Sequence, residues 1–557
     1  MRKIVLFILL QVVVQPSFAQ HNHGDHSKEI NHVMACRSGV NYIENLPAPK
    51  LMKGVGSSTL KIKTSSELAQ KYFSQGVSQL HCFWDFEAYR SFKEAKRIDS
   101  TAIMPYWGML HTILFIDNKE FDKEKKVAVE KLKELSKNAE GYEVLYSKGI
   151  LDFVETENPE GYLQQLENIV HQYPQDVDAK LFLALFNMSG YDENMDPRKG
   201  TIYSEYLLRN LLISNPENHG VHHYWIHQME NCCPEEALAS AHKLSDLAPE
   251  SGHIVHMPGH IYYKLGDYKM AHDQFIKAMK VDSTYMADQN IKEIDNWNYI
   301  HNLNYLLANC AQDGRYKEGL HYAERLEKMV AVADRVDMHR GAYFYQGIIT
   351  PAIMEMRFGF WDKAVKKFEA ITNKDSLYGG VAMDYKTAFS LFSSGMSALK
   401  KNDISNAKLK LDQLDALFWR NSQLENEMDR LNQFQLKTLL VTSIELKGNI
   451  LIAEKKYDEG IEVLKKAVEM EKDLGYSEPP YYPRPTLLSL SGAYAKKGDY
   501  EKAESCLEKI LDKHPNSSMA YWGLMDLYKQ TKQQDKYERI KSKFENVIQY
   551  GDKDIFK

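Results

Sequence analysis

The sequence predicts an all-α solenoid built from helical hairpins, and three observations carry that prediction. Small residues open what reads as the second helix of a hairpin at Ala237 and again at Ala271, thirty-four positions apart. Around the second of these, Tyr262 and Leu265 precede a turn at Gly266 and Tyr268, and Ala271, Phe275 and Ala278 follow at helical spacing. No run alternates apolar and polar residues over a useful length, so no strand pattern competes. Small residues let two helices approach closely, bulky residues at helical spacing fill the seam, and Gly supplies the backbone angles that end a helix.

A repeat of this length is the tetratricopeptide period. From the amino terminus, Gly76, Ala88, Phe92 and Ala95 make the first hairpin, Tyr106, Trp107 and Gly108 begin a second, and a faint third ends at Pro174. The Ala237 and Ala271 copies follow. Gly314, Tyr316, Gly319 and Leu326 come next, then Gly359, Trp361, Ala364 and Phe368, then Gly395, Ala407, Leu411 and Leu414. Gly448, Tyr457, Gly460, Leu464 and Ala467 form a weaker copy, and Leu490, Tyr494, Gly498, Tyr500, Ala503, Leu507 and Pro515 reproduce almost the whole pattern. The expectation is roughly nine to eleven hairpins over 61–557, clearest near 68–101, 221–283, 299–330 and 441–515. Such an array offers a long curved groove, so the fold predicts a binding or scaffold module with a protein or peptide partner in its concave face.

Composition agrees. The chain has 557 residues, 44% hydrophobic and 26% charged, enough for a large core. Its formal net charge of −6 argues against nucleic acid, which needs a basic stripe. The 34 Tyr and 7 Trp fit the seams of such hairpins, and an aromatic-lined groove for a glycan is the other reading.

Residues 1–19 read as a signal peptide. Arg2 and Lys3 open it, Ile4 to Val14 is apolar but for Gln11, and Ser17-Phe18-Ala19 supplies a small-x-small site, so cleavage is expected after Ala19. Eleven residues are too few to span a bilayer, and no later segment is apolar enough, so a periplasmic or secreted protein without a membrane span is expected. Residues 20–60 read as a flexible segment with His21, His23, His26 and His32, then Pro47, Pro49, Gly54 and Gly56. That tail is either solvated or a loose copper or zinc binder. The six cysteines, Cys36, Cys82, Cys232, Cys233, Cys310 and Cys506, form no framework. A vicinal ring at Cys232-Cys233 is strained, and Cys36 with Cys82 stays open as a pair.

The chemistry concentrates in 219–260, where eight of the twenty histidines fall: His219, His222, His223, His227, His242, His253, His256 and His260. His253, His256 and His260, with Tyr263, share one helix face, and His223, His227 and Glu230 repeat the spacing one hairpin earlier. In the repeat frame the groove-facing positions are His253, His256, His260 and Tyr263, flanked by His219, His222, His223 and Glu230 before and His301 after. A histidine-lined groove floor is therefore expected. Three readings stand: a zinc or copper site drawing on His223, His227, Glu230, His253, His256 and His260; recognition of an anion or glycan by imidazole donors; and structural histidines that tie hairpins together. Because i to i+7 covers about 10 Å of helix axis, one ion takes two ligands from one helix and the rest from its neighbour.

Pro258 should kink its helix and re-aim His256 and His260, or mark its first turn. The segment from Glu478 to Pro485 must run extended, either as a lid with Arg484 pointing into the groove or as a rigid loop. No HExxH, GxSxG, P-loop or GxGxxG is present, so no known enzyme class is indicated. Asp85 with Glu87 and Asp334 with Asp337 read as solvated helix faces.

Several stretches resemble a family of bacterial, often exported, tetratricopeptide proteins. They are Ala69-Gln70-Lys71-Tyr72-Phe73-Ser74-Gln75-Gly76, Glu87-Ala88 with Ser91-Phe92-Lys93-Glu94-Ala95, Tyr106-Trp107-Gly108, and His256-Met257-Pro258-Gly259-His260-Ile261-Tyr262 within His222 to Tyr268. His301-Asn302, Arg357-Phe358-Gly359 with Trp361-Asp362, and Glu478-Pro479-Pro480 with Pro483 and Arg484 continue the match in order. The resemblance implies fold and architecture; the family has no settled activity, and relatives of this kind also accompany polysaccharide-utilisation systems. The histidine-rich tail departs from the family.

Overall fold

The computed structural model describes residues 47–113, 119–192, 196–329, 341–371, 379–423, 430–475 and 482–556. The leader, the tail histidines, Cys36, Asp334, Asp337 and Glu478-Pro479-Pro480 lie outside them. Among the described residues regular structure is helical, apart from one isolated bridge between Tyr191 and Pro197.

Helices pair in sequence as hairpins. The first four are α1–α2 (Glu67–His81, Asp85–Ile98), α3–α4 (Met104–Ile113, Lys119–Ser136), α5–α6 (Tyr142–Thr156, Pro159–Gln172) and α7–α8 (Val177–Asn187, Thr201–Ser214). The middle four are α9–α10 (His219–Met229, Leu238–Leu247), α11–α12 (Gly252–Lys264, Tyr268–Gln289), α13–α14 (Trp297–Asp313, Tyr316–Glu327) and α15–α16 (Thr350–Arg357, Trp361–Ala370). The last four are α17–α18 (Gly379–Lys400, Ile404–Ser422), α19–α20 (Arg430–Ala453, Tyr457–Asp473), α21–α22 (Thr486–Lys497, Tyr500–Lys513) and α23–α24 (Ser518–Gln530, Gln534–Val547). The twelve hairpins among the described residues exceed the nine to eleven expected. The hairpins missed are α7–α8 and α23–α24, whose second helices contain neither Ala nor Gly and so lack the small anchor that marks a repeat.

The turn and seam residues act as the sequence implies. Gly266 takes φ +75° and Asp267 caps α12 by accepting from the Met270 N–H; Gly498 and Asp499 repeat the device before α22. Gly76 and Gly108 both lie on the Phe92 ring, and a Cβ on Gly259 would fall 2.3 Å from the Phe275 ring. Pro258 sits inside α11 without ending it.

Two features depart from an open solenoid with a loose amino-terminal segment. Residues 47–60, assigned to the flexible segment, form a strap across α1. Pro47 O accepts from Arg90 (3.1 Å), Met52 N–H donates to Gln75 Oε1 (2.7 Å) and Val55 O accepts from Ser78 Oγ (2.7 Å). Gly54 O accepts from the Glu250 N–H at 2.8 Å, so the strap reaches the turn before α11. Val55 is buried, and it is this apolar anchoring that overrides the Pro and Gly content of the segment. The array also closes on itself: Asn516 Nδ2 donates to Gly266 O at 3.2 Å, the Asp552 N–H donates to Gly314 O at 2.8 Å, and the Lys317 N–H donates to Asp552 at 2.8 Å. The carboxy-terminal hairpins thus dock on the turns of the middle ones. Among the described residues no helix is long and apolar enough to cross a membrane, and the described cysteines are all free thiols.

Close helix approach makes a direct prediction. Gly259→Ala should destabilise the protein by about 1–3 kcal/mol through overpacking against Phe275. Gly492→Ala, in α21 with nothing within 4 Å, should instead stabilise by up to about 1 kcal/mol. Urea unfolding of the two variants checks both signs.

Candidate metal centre

The site is built on first helices of consecutive hairpins. Helix α9 starts at Asn218, whose side chain accepts from the Val221 N–H, and carries His219, His222, His223 and His227, with Glu230 at its end. Helix α11 carries His253, His256 and His260. Helix α13 starts at Asn296 and carries Trp297, Asn298, His301, Asn302 and Tyr305. These helices pack side by side, and the end of α1 packs on α9.

The expected open floor is instead a core. None of His219, His222, His223, His227, Glu230, His253, His256, His260, Tyr263 and His301 is more than 6% exposed. Phe83 packs on His223, His227 and His253, the strap lies over His219 at Gly56, and Phe275, Tyr305 and Trp297 pack on His256, His260 and His301.

Two sets of three histidines converge. In the first, one ligand atom from each of His223, His227 and His253 lies within 4.8 Å of the others. Each Nδ1–H has its own acceptor: His81 O for His223 (2.6 Å), Glu230 Oε1 for His227 (2.9 Å) and Asn298 Oδ1 for His253 (3.0 Å). Asn298 can only present its oxygen to His253, because its Nδ2 donates to Asp282 at 2.7 Å. The tautomers are thereby fixed, and all three Nε2 lone pairs are buried without a hydrogen-bond partner. Each such atom costs about 1–3 kcal/mol if nothing meets it.

The second set is His256, His260 and His301, again with ligand atoms within 4.8 Å. His256 Nδ1 faces Asn302 Oδ1 at 2.7 Å, and Asn302 is oriented by its own Nδ2 donating to Phe275 O. His260 Nδ1 faces Glu230 Oε2 at 2.7 Å. With both Nδ1 atoms committed as donors, the Nε2 atoms of His256 and His260 meet at 2.6 Å, a hydrogen-bond distance that a proton between them closes. They meet despite Pro258, which removes a backbone N–H from α11 without re-aiming either ring.

Glu230 joins the two sets, one oxygen to each. Burial alone would raise its carboxyl, but the facing His227 and His260 hold it well below the usual carboxylate range. Burial also holds His223, His253 and His256 well below the ordinary histidine value, His301 at about 3 and His219 at about 4. His219, His223, His253, His256 and His301 are therefore neutral at pH 7, the form of imidazole that binds metal. The Nδ1-to-oxygen, Nε2-to-metal arrangement is the usual build of a histidine metal site.

The other sequence candidates fall elsewhere. His219 Nε2 donates to Ser78 O at 3.1 Å under Gly56, and His222 bridges Ser240 and Pro216 O, both at 2.8 Å, on the side facing α10. These two are structural. Tyr263 packs on Tyr268 and Tyr305 beyond the second set. His242 is exposed. Arg484 lies against Trp361 and near Glu445 in the carboxy-terminal half. Sequence reasoning missed His81, Asn298 and Asn302 as orienting groups; the Asn pair stands at i and i+4 on α13, a signal available only once α13 is known to face α11.

Models of the tetratricopeptide repeat match residues 254–285 and 451–528, and the first match contains His256 and His260. Those two stretches are tetratricopeptide repeats. No curated protein matches it in sequence. Among solved structures it is similar to the human IFIT1 dimer with m7Gppp-AAAA, at 14% identity and a TM-score of 0.31, covering 74% of this chain and 91% of that one. It is similar to Cut9 in the APC/C hetero-tetramer Cut9-Hcn1 at 12% and 0.28, covering 86% and 87%. Yeast Tom70 is similar at 12% and 0.27, covering 87% and 85%.

Histidines held low in the fold give a pH dependence with a definite sign. The unfolded chain takes up protons below about pH 6.5 that the folded chain refuses, so this stability is complete above that pH and is lost as the pH falls toward 4. The urea midpoint of the metal-free protein should drop steeply between pH 7.5 and pH 5; a flat profile would contradict burial of neutral imidazoles.

Proposed function

We propose that the protein is a metal-binding tetratricopeptide solenoid that holds two transition-metal ions, copper or zinc, one in each histidine set. The observation that carries this is the first set, where three Nε2 lone pairs converge in the core while every Nδ1–H is fixed on its own oxygen. His222, by contrast, satisfies both of its ring nitrogens. All-imidazole donation suits copper, zinc, nickel and iron, and excludes magnesium and calcium, which take oxygen. Export through residues 1–19 is part of the proposal and would place the centre outside the cytoplasm.

Repeat proteins of this kind are generally interaction scaffolds, and one surface supports that role here. Ile202, Tyr203 and Tyr206 on α8 are 68%, 38% and 62% exposed, an outward apolar stripe on a single helix. A protein partner there is compatible with a buried metal centre, because the stripe is exposed and the histidines are buried.

Metal analysis of the tag-free protein by mass spectrometry should find about two equivalents per chain. His223→Ala with His227→Ala should remove about one, His256→Ala with His260→Ala about one, and deletion of 20–35 none. Circular dichroism of each variant separates loss of metal from loss of fold. Metal-free protein in every sample would leave a repeat scaffold with structural histidines.

A further inference from the structure

We infer that α8 is the docking face for an amphipathic helix of a partner protein, one whose apolar side lies along Ile202, Tyr206 and Ile213 and whose acidic end meets Arg198 and Lys199. The inference rests on the interaction-scaffold reading above and adds the chemistry of the partner.

Helix α8 is apolar on both sides. Its inner side, with Leu207, Leu208 and Leu211 beside Thr201 and Ser204, is buried where it packs on α7 and α9. A helix at the surface of an array then needs a polar outer side. Here Ile202, Tyr206 and Ile213 stand at i, i+4 and i+11, within one narrow arc of the helix, and Tyr203 flanks them. Ile213 is the most exposed of the four, at 83%. Four of the eleven large hydrophobic side chains exposed among the described residues thus lie on one helix, and no other described helix carries more than two. Scattered singly, such residues are ordinary; a continuous stripe marks an interaction surface. Charge does not relieve it. The two charged residues of α8, Glu205 and Arg209, pair with each other at 2.8 Å, and Arg209 also reaches Glu236 at 2.6 Å while lying over the Trp225 ring.

The shape of the stripe selects a helix. From Ile202 to Ile213 it runs for about 16 Å along the axis. It presents side chains alone, because the backbone of α8 is spent on its own hydrogen bonds. An extended peptide finds no ladder there, so a bound segment has to satisfy its own N–H and C=O groups, as a helix does.

Charge selects the acidic end. A groove of about 570 Å³ at the amino-terminal end of α8 is lined by Ile202, Tyr203 and Tyr206 together with Pro197, Arg198 and Lys199. Both cations are exposed, and among the described residues neither is in an ion pair. The amino terminus of α8 adds its own partial positive charge. Asp196 is exposed but does not line the groove, and Glu167 of α6 stands on the Tyr203 side. Carboxylates at one end of the partner complement this end of the stripe. A second copy of the chain fits less well: packed antiparallel on itself, α8 would set Arg198 and Lys199 against Ser214 and Asn215, which carry no charge.

The experiment is selection of phage-displayed random peptides, long enough for about four helical turns, on the full chain, with counter-selection on the Ile202→Ser, Tyr206→Ser double variant. The expected yield is sequences with apolar residues at helical spacing and Asp or Glu clustered at one end, and the synthetic peptide should gain helical circular dichroism on binding. Arg198→Glu with Lys199→Glu should weaken that peptide at least about tenfold, and raised salt should weaken it as well. Selected peptides that are basic, uncharged or extended when bound, or that bind the charge-reversed variant equally well, would overturn the acidic helix while leaving a protein partner on α8. No enrichment over the double variant would sink the interaction reading of α8 itself, so the two failures are distinguishable. A dimer in sedimentation velocity that the double variant abolishes would put a second copy on the stripe, and glycan binding lost in that variant would put a saccharide there; either overturns the inference. All four substitutions are of exposed side chains, and unchanged circular dichroism and urea midpoints should confirm that both variants keep the fold.

Discussion

Everything at the centre of this molecule depends on where three Nδ1–H groups find their oxygens. A buried imidazole must satisfy its donor, and each acceptor here comes from a different element: His81 O from the end of α1, Glu230 from the end of α9, Asn298 from the first turn of α13. Those bonds set the depth and rotation of four helices relative to one another. They also leave the Nε2 lone pairs directed inward, which no arrangement of hairpins built on apolar packing alone would produce. Second-layer groups are fixed in turn, Asn298 by Asp282 and Asn302 by Phe275 O, so the geometry is determined two contacts out from the rings.

The repeat architecture supplies the closeness this requires. First helices of successive hairpins lie side by side because Gly259 and Ala271 let α11 sit on α12, and Phe275 fills the gap while touching His256. The strap over α1 and the return of the carboxy-terminal hairpins onto Gly266 and Gly314 turn an array of neighbours into a closed body. In an open solenoid each repeat can breathe against the next. Long-range contacts of this kind restrain the middle hairpins, where the histidines are.

Much of the fold was legible because tetratricopeptide seams are local. The 34-residue interval, the Gly-Asp turns and the Gly and Ala anchors all report on contacts within one hairpin or its neighbour. Where the anchors are missing, at α8 and α24, the hairpins were missed, although their apolar faces still pack. The histidine faces were also legible, since i, i+3 and i+7 are fixed by helix geometry. What sequence could not supply was the burial. Pattern places His253, His256 and His260 on the inner face, but whether that face is a groove or a core depends on the strap and α1, which reach it from more than a hundred residues away. For the same reason His219 and His222 looked equivalent to His223; only the positions of Ser78 and Ser240 separate them. Arg484 joined the candidates on a lid reading, and its guanidinium lies over Trp361.

The orphaned nitrogens finally bear on why the fold tolerates them. Three unmet Nε2 atoms, at His223, His227 and His253, would together withdraw several kcal/mol, on the order of 1–3 each, from a molecule whose whole stability is about 5–15. Replacing any one by an apolar residue of similar shape would relieve that cost, as would a second hydrogen-bond partner such as His222 possesses. Neither remedy is used in the first set. A ligand that binds the folded chain and not the unfolded one stabilises it by RT ln(1 + [L]/Kd), about 4 kcal/mol at a thousandfold excess over Kd. Under the proposed function, metal bound at these rings would offset what the imidazoles cost, and the part of the core that is least stable alone would be the part that the metal holds together.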